Sequence, residues 1–226
     1  MSPSRPGRDL AATLAGGGLY GAVLGSWSGA ELALYAAIKL PLALLVTAGF
    51  ALLFNVLIAR VFGERLGFGA VVALNLATFA RAAVVLASLA PVAALFTHTL
   101  DEPSPEAQAT HNLLYLLHVA AVGGAGLAGC LALRSRLRWL CASGKSARNL
   151  FVAWVLTLAL VGGEVTWALR PFVGSVHQPV AFLRADALDG NVYEFILRDI
   201  APFLLAAPER AEPAGASAAD PKERKR

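Results

Sequence analysis

Charge is what this sequence has least of: only 15% of its 226 residues are charged, against 57% hydrophobic, and the mean hydropathy is +0.62. Soluble domains are about a quarter charged, so the composition excludes an ordinary soluble domain and points to one membrane domain. Methionine is absent after Met1, so the apolar surplus is not a Met-rich recognition surface. The two cysteines, Cys130 and Cys141, lack metal-ligand spacing and fall at the inner end of an apolar run and in a basic loop, which argues against a disulfide. Nucleophile motifs are missing as well. Gly25-Ser-Trp-Ser-Gly29 places Trp27 where an esterase elbow needs serine. No phosphate-binding GxxxxGK run occurs, and His98, His111, His118 and His177 show no HxxxH or HExxH spacing. The expectation is therefore a non-enzymatic chain with no cofactor and no metal.

What is present is a series of charge-free runs at 10–30, 40–59, 82–100 and 107–133, with a fifth at 149–169 that contains Glu164. Each approaches or exceeds the roughly 20 residues that cross a bilayer as helix. The apolar stretch 66–80 either extends the third run inward through Arg81 or lies as a separate interfacial helix. The fold class follows: all-α, a polytopic transmembrane bundle of about five spans. The loop 134–148 carries Arg134, Arg136, Arg138, Lys145 and Arg148, so it belongs in the cytoplasm by the positive-inside rule. Parity then puts residues 1–9 and Arg60–Arg65 inside, and the acidic loop with Asp101, Glu102 and Glu106 outside. The expected location is the inner membrane of a bacterium, with the C-terminus outside. A signal-peptide reading of the first run is the weaker one, because signal cores are about 7–15 residues.

Gly17, Gly21, Gly25 and Gly29 recur every fourth residue and strip one helix face of side chains. Small-xxx-small faces let helix backbones approach closely in lipid. A second small face in the fourth run, Ala121, Ala125 and Gly129 beside Ala120, Gly124 and Ala128, offers the first a partner, within one chain or between copies. Pro41 is expected to separate an outer piece, 31–40, from the second crossing. Glu31, Tyr35 and Lys39 then share one polar edge.

Glu164 is the only acid inside the apolar runs. An ionisable group in hydrocarbon costs roughly 2.5–3.5 kcal/mol on insertion scales, so it needs a partner or a use. Asn75, Thr78, Arg81 and Ser88 make a polar stripe on the third span, and Arg81 is the counter-ion expected for Glu164; Lys39 is the alternative. Lys39, Asn75, Arg81 and Glu164 thus form the candidate intramembrane polar cluster, structural in the first reading and a proton or ion path in the second. The basic loop with Trp139 suits anionic lipid headgroups rather than nucleic acid.

Residues 170–207 form an extracytoplasmic segment. Asp189-Gly190 signals a turn and Asn191 a cap for an amphipathic helix whose apolar face is Val192, Phe195, Ile196, Ile200 and Phe203. Arg170, His177, Arg184 and Glu194 are its candidate outer-face contacts. The text WxLRPFxG, then FLR, then GNxYE, with GLYGxxxGSWSG and IKLP upstream, resembles a group of uncharacterised multi-pass membrane proteins of bacteria. The resemblance spans most of residues 19–198 and implies a membrane bundle without implying an activity. In topology alone the chain also resembles the Yip1-type membrane proteins. Residues 208–226, rich in Ala, Pro, Glu, Lys and Arg, are expected to be a disordered tail. The expected partners are the bilayer and a second copy or other membrane subunits. The expected role is assembly or scaffolding, and the alternative is a small transporter or channel subunit.

Overall fold

The computed structural model describes residues 5–99, 108–173, 179–195 and 197–198, with side chains in the fourth helix described from Asn112 onward. It is a helical bundle, and no strand occurs among the described residues. Five long helices follow one another: α1 (Pro6–Ser26), α2 (Ala30–Val61), α3 (Phe68–Thr99), α4 (Gln108–Leu140) and α5 (Gly144–Ala168). Four of them, α2 to α5, contain stretches long and apolar enough to cross a membrane. The fifth crossing expected from the sequence corresponds to α1. Its charge-free part begins after Asp9 and spans about 26 Å at 1.5 Å per residue, just short of a hydrocarbon core. Residues from Gly190 onward form a separate unit, which contains the short α6 (Val192–Phe195).

The glycine ladder makes α1 and α2 a tight antiparallel hairpin. Gly25 faces Leu32, Gly21 faces Ala36 and Gly17 faces Pro41, so the contact order descends along one helix as it climbs the other. A Cβ on Gly21 would lie 2.3 Å from the Ala36 carbonyl oxygen, and one on Gly25 2.4 Å from that of Leu32. Only hydrogen fits there. Gly16, one residue off the ladder, meets the Ala83 carbonyl of α3 at 2.4 Å in the same sense. The ladder therefore packs on α2, not on the small face of α4. That second face splits: Gly129 sits against the Thr78 carbonyl of α3 and Ala125 is fully buried, whereas a side chain on Gly124 would meet nothing within 4 Å. Gly29 belongs to the turn rather than the ladder, with a φ of 107° that L side chains rarely adopt.

One expectation about helix limits is corrected and one open alternative is resolved. Pro41 lies inside α2, which runs unbroken from Ala30 to Val61. The proline ring seats against Gly17, whose missing side chain leaves the room, and neighbouring packing retains the helix that Pro41 alone would weaken. Residues 68–80 are continuous with the rest of α3, so there is no separate interfacial helix.

Two apolar layers hold the bundle along its axis. Towards the α1–α2 turn, Tyr20, Leu24 and Leu40 pack with Leu86, Ala90 and Ala125. At the opposite end Ala59, Val71 and Leu74 pack with Leu133, Leu137, Leu150 and Trp154. The α2–α3 loop that closes this end opens with a glycine C-cap. Gly63 at φ 74° lets its N–H reach the Arg60 carbonyl at 3.0 Å and the Glu64 N–H reach that of Ala59 at 2.9 Å.

Candidate functional site

The polar groups inside the bundle are arranged as separate couplings between helices. In the middle, Asn55 of α2 joins three of them. Its side-chain Nδ2 donates to Asn75 Oδ1 of α3 at 3.0 Å, and its backbone carbonyl accepts from the Trp154 indole of α5 at 3.1 Å. All three residues are at most 2% exposed. Nearer the α1–α2 turn, Tyr20 Oη and His118 Nδ1 lie 2.9 Å apart, edge to face, coupling α1 to α4. Sequence reasoning gave Asn55 polarity but no role and weighed His118 only as a metal ligand; both occur as lone polar residues in apolar runs, which was the available signal.

Lys39 is fully buried, but it does not meet an acid. Its Nζ donates to the Pro171 carbonyl at 3.0 Å and lies 5.0 Å from the Phe182 ring centroid and 5.9 Å from that of Phe172. The lysine thus ties α2 to the segment that follows α5. Tyr35 supports it by packing edge-on against Phe182, while its hydroxyl donates to Glu31 at 2.8 Å. The polar edge of Glu31, Tyr35 and Lys39 is therefore a real face, with a structural end.

The expected Arg81–Glu164 pair does not form, nor does Lys39–Glu164, among the described residues. Arg81 is exposed on α3, about 20 Å along from Phe68 at 1.5 Å per residue. The stripe that carried it drifts. Steps of three residues turn backwards by about 60° each, so Asn75 and Thr78 face protein while Arg81 and Ser88 have rotated out. Glu164 is half-buried on α5. The four residues of the predicted polar cluster are not gathered at one place.

A different acid is the more buried one. Glu64, set by the glycine cap, is 7% exposed. It accepts from the Ala142 N–H at 3.3 Å and closely from the Ser146 hydroxyl, which latches the α2–α3 loop to the α4–α5 turn. Ser143 caps α5 by accepting from the Ser146 N–H at 3.1 Å. Burial, with the Glu64 carboxylate beside it, holds the Cys141 thiol above its ordinary range. Both cysteines are free thiols.

Outside the spans, Arg170 and Arg184 converge on Asp186. Arg184 Nε reaches Asp186 Oδ1 at 2.8 Å and Arg170 Nη2 reaches Oδ2 at 3.5 Å. Arg170 also donates to the Asp186 carbonyl at 2.9 Å, and its guanidinium lies 3.9 Å from the Trp167 ring centroid. The hydrogen bond from Arg184 is the main reason that the Asp186 carboxyl lies below its ordinary range. In the separate unit, Asn191 caps α6 as expected, accepting from the Glu194 N–H at 2.8 Å, and Glu194 pairs with Arg198 at 2.9 Å. His177, the side chain of His111, the acidic loop at 101–106 and the tail at 208–226 lie outside the described residues, as does the amphipathic helix beyond Phe195 apart from 197–198. Among the described residues no three His, Cys, Asp or Glu side chains gather as a metal site.

Two cavities lie among the described residues. A groove of about 420 Å³ opens between α4 and α5 over a floor of α2 and α3, and it is almost wholly apolar. A smaller pocket of about 290 Å³ lies at the α4–α5 turn, lined by Arg134, Arg138 and Arg148. Comparison with protein-family models, with curated proteins and with solved structures gives no match.

Proposed function

We propose that this chain is a non-catalytic multi-pass protein of the bacterial inner membrane that serves as an assembly or scaffold component. The observation that carries the reading is the pairwise use of its buried polar groups. Asn55 with Asn75 and Trp154, and Tyr20 with His118, bond across helix seams, and Lys39 bonds to Pro171 in the segment after α5. Tyr20 and Trp154 also belong to the two apolar layers. Interhelical hydrogen bonds of this kind fix helix positions in lipid. A conduction path would need polar groups in series, whereas Arg81 is turned outward and the large groove is apolar. In this reading the basic end of the bundle is cytoplasmic and Glu164 is a tolerated half-buried acid.

The test is flux. Full-length chain in liposomes containing a pH-sensitive dye should leak protons no faster than empty liposomes. Glu164→Gln should assemble and behave identically. A pH-dependent proton or cation flux that is abolished by Glu164→Gln would replace the scaffold by the transporter.

A further inference from the structure

The seam between α4 and α5 carries two features that the helix couplings leave unused. At its inner end Arg134 and Arg138, one turn apart on α4, and Arg148 on α5 line the pocket together with Gly144 and Ala147. All three arginines are exposed, and the ion pairs among the described residues lie elsewhere, between 170 and 198. Like charges one turn apart destabilise a helix, so their convergence on one hollow calls for an anion. Glu64, the acid that reaches the α4–α5 turn, is occupied by the Ala142 N–H and the Ser146 hydroxyl.

Further along the same seam lies the apolar groove. Cys130, which lines it, is one turn from Arg134. On α5, Arg148, Val155 and Gly162 recur at seven-residue intervals and so share a face; the first lines the pocket and the other two line the groove. The basic pocket and the groove are two separate cavities that follow each other along the same faces of α4 and α5. The groove follows about 12 Å of α4, from Val122 to Cys130, and about 16 Å of α5, from Val155 to Thr166. Its width comes from glycine. A side chain on Gly123 or Gly126 would meet nothing within 4 Å, so helix packing does not require glycine there, in contrast to Gly21 and Gly25.

We infer that the α4–α5 seam binds one anionic phospholipid, its phosphate held by Arg134, Arg138 and Arg148 and an acyl chain laid in the groove beside Gly126 and Gly162. Guanidinium groups match phosphate oxygens in geometry as well as charge. Apolar walls with a cationic end suit an amphipathic occupant rather than a free ion. The inference rests on the bundle lying in a bilayer with its basic end at a headgroup layer.

The experiment is native mass spectrometry of the full-length chain in mild detergent, titrated with phosphatidylglycerol and with phosphatidylcholine of identical acyl chains. Phosphatidylglycerol should be retained roughly tenfold or more tightly, from about a few-fold per basic residue at a headgroup. Changing Arg134, Arg138 and Arg148 together to Gln should erase that preference, while Arg60→Gln with Arg65→Gln, at the same end but outside the pocket, should preserve it. Gly126→Leu should weaken both lipids by filling the groove. Equal retention of the two lipids by the unaltered chain overturns the inference without any variant. So does displacement of the lipid by inorganic phosphate together with full binding by Gly126→Leu, which would mark a free-phosphate site. Release of the chain from membranes by alkaline carbonate would instead overturn the membrane reading itself.

Discussion

Replacing Gly21 with alanine adds a single methyl group, and the hairpin geometry fixes what it meets. The new Cβ would stand 2.3 Å from the Ala36 carbonyl oxygen, where ordinary contact begins at 3.4 Å, so α1 and α2 must part by the difference, 1.1 Å. The obstacle is backbone and cannot rotate aside. Gaps of 0.5–1 Å forfeit roughly a quarter to a half of a dispersion well, so neighbouring contacts along the hairpin weaken too. Overpacking costs about 1–3 kcal/mol, and a rigid carbonyl puts this site in the upper part of that range. Alanine returns about 1 kcal/mol of helix propensity, which leaves a net loss of about 1–2 kcal/mol. Gly49 supplies the control. It lies in α2, is exposed and has nothing within 4 Å of its would-be Cβ, so Gly49→Ala should be neutral or stabilise by up to about 1 kcal/mol. Detergent-unfolding titrations followed by circular dichroism would compare the two. Equal effects of the same sign, or a Gly21→Ala variant as stable as the parent, would refute the close-approach argument.

Trp154→Phe removes the indole donor to the Asn55 carbonyl while keeping an aromatic ring, and should lower stability by about 0.5–1.5 kcal/mol in the same titration. Cys141 should be alkylated slowly at neutral pH, since burial and then Glu64 raise its pKa; Glu64→Gln should speed the reaction, and an unchanged rate would remove the carboxylate from the account. Asp186 has a folded-state pKa below its unfolded value, so its contribution is present above the unfolded pKa and is lost as pH falls through the folded one. Hydrogen exchange over 179–189 should therefore quicken on strong acidification, and Asp186→Asn should show the faster exchange at neutral pH without that acid step.

The bundle was legible because span length and charge scarcity are one-dimensional signals that the bilayer imposes. The glycine ladder was legible too, since a four-residue repeat marks a face whatever it packs against. The partner of that face was not, because several helices present small residues and only assembly chooses α2 and α3. Helical drift explains the Arg81 error: a stripe read at intervals of three rotates out of register over a few steps, leaving Asn75 buried and Arg81 exposed. Lys39 and Glu164 look complementary as charges, yet the lysine finds a carbonyl and aromatic rings in the segment after α5, a long-range contact that no local pattern encodes. Glu64 was overlooked because it sits in a short loop that reads as solvent, and only the glycine cap turns it onto the α4–α5 turn.

The claim at the centre of this account is that buried polar residues bolt the helices together, and the Asn55–Asn75 contact tests it most directly. A double-mutant cycle with Asn55→Leu, Asn75→Leu and both together, read by unfolding in detergent, isolates their coupling. Each single change leaves a buried amide without its partner, so the pair should be clearly less damaging than the sum, with a coupling energy of about 0.6–1.7 kcal/mol. Strictly additive losses would contradict it.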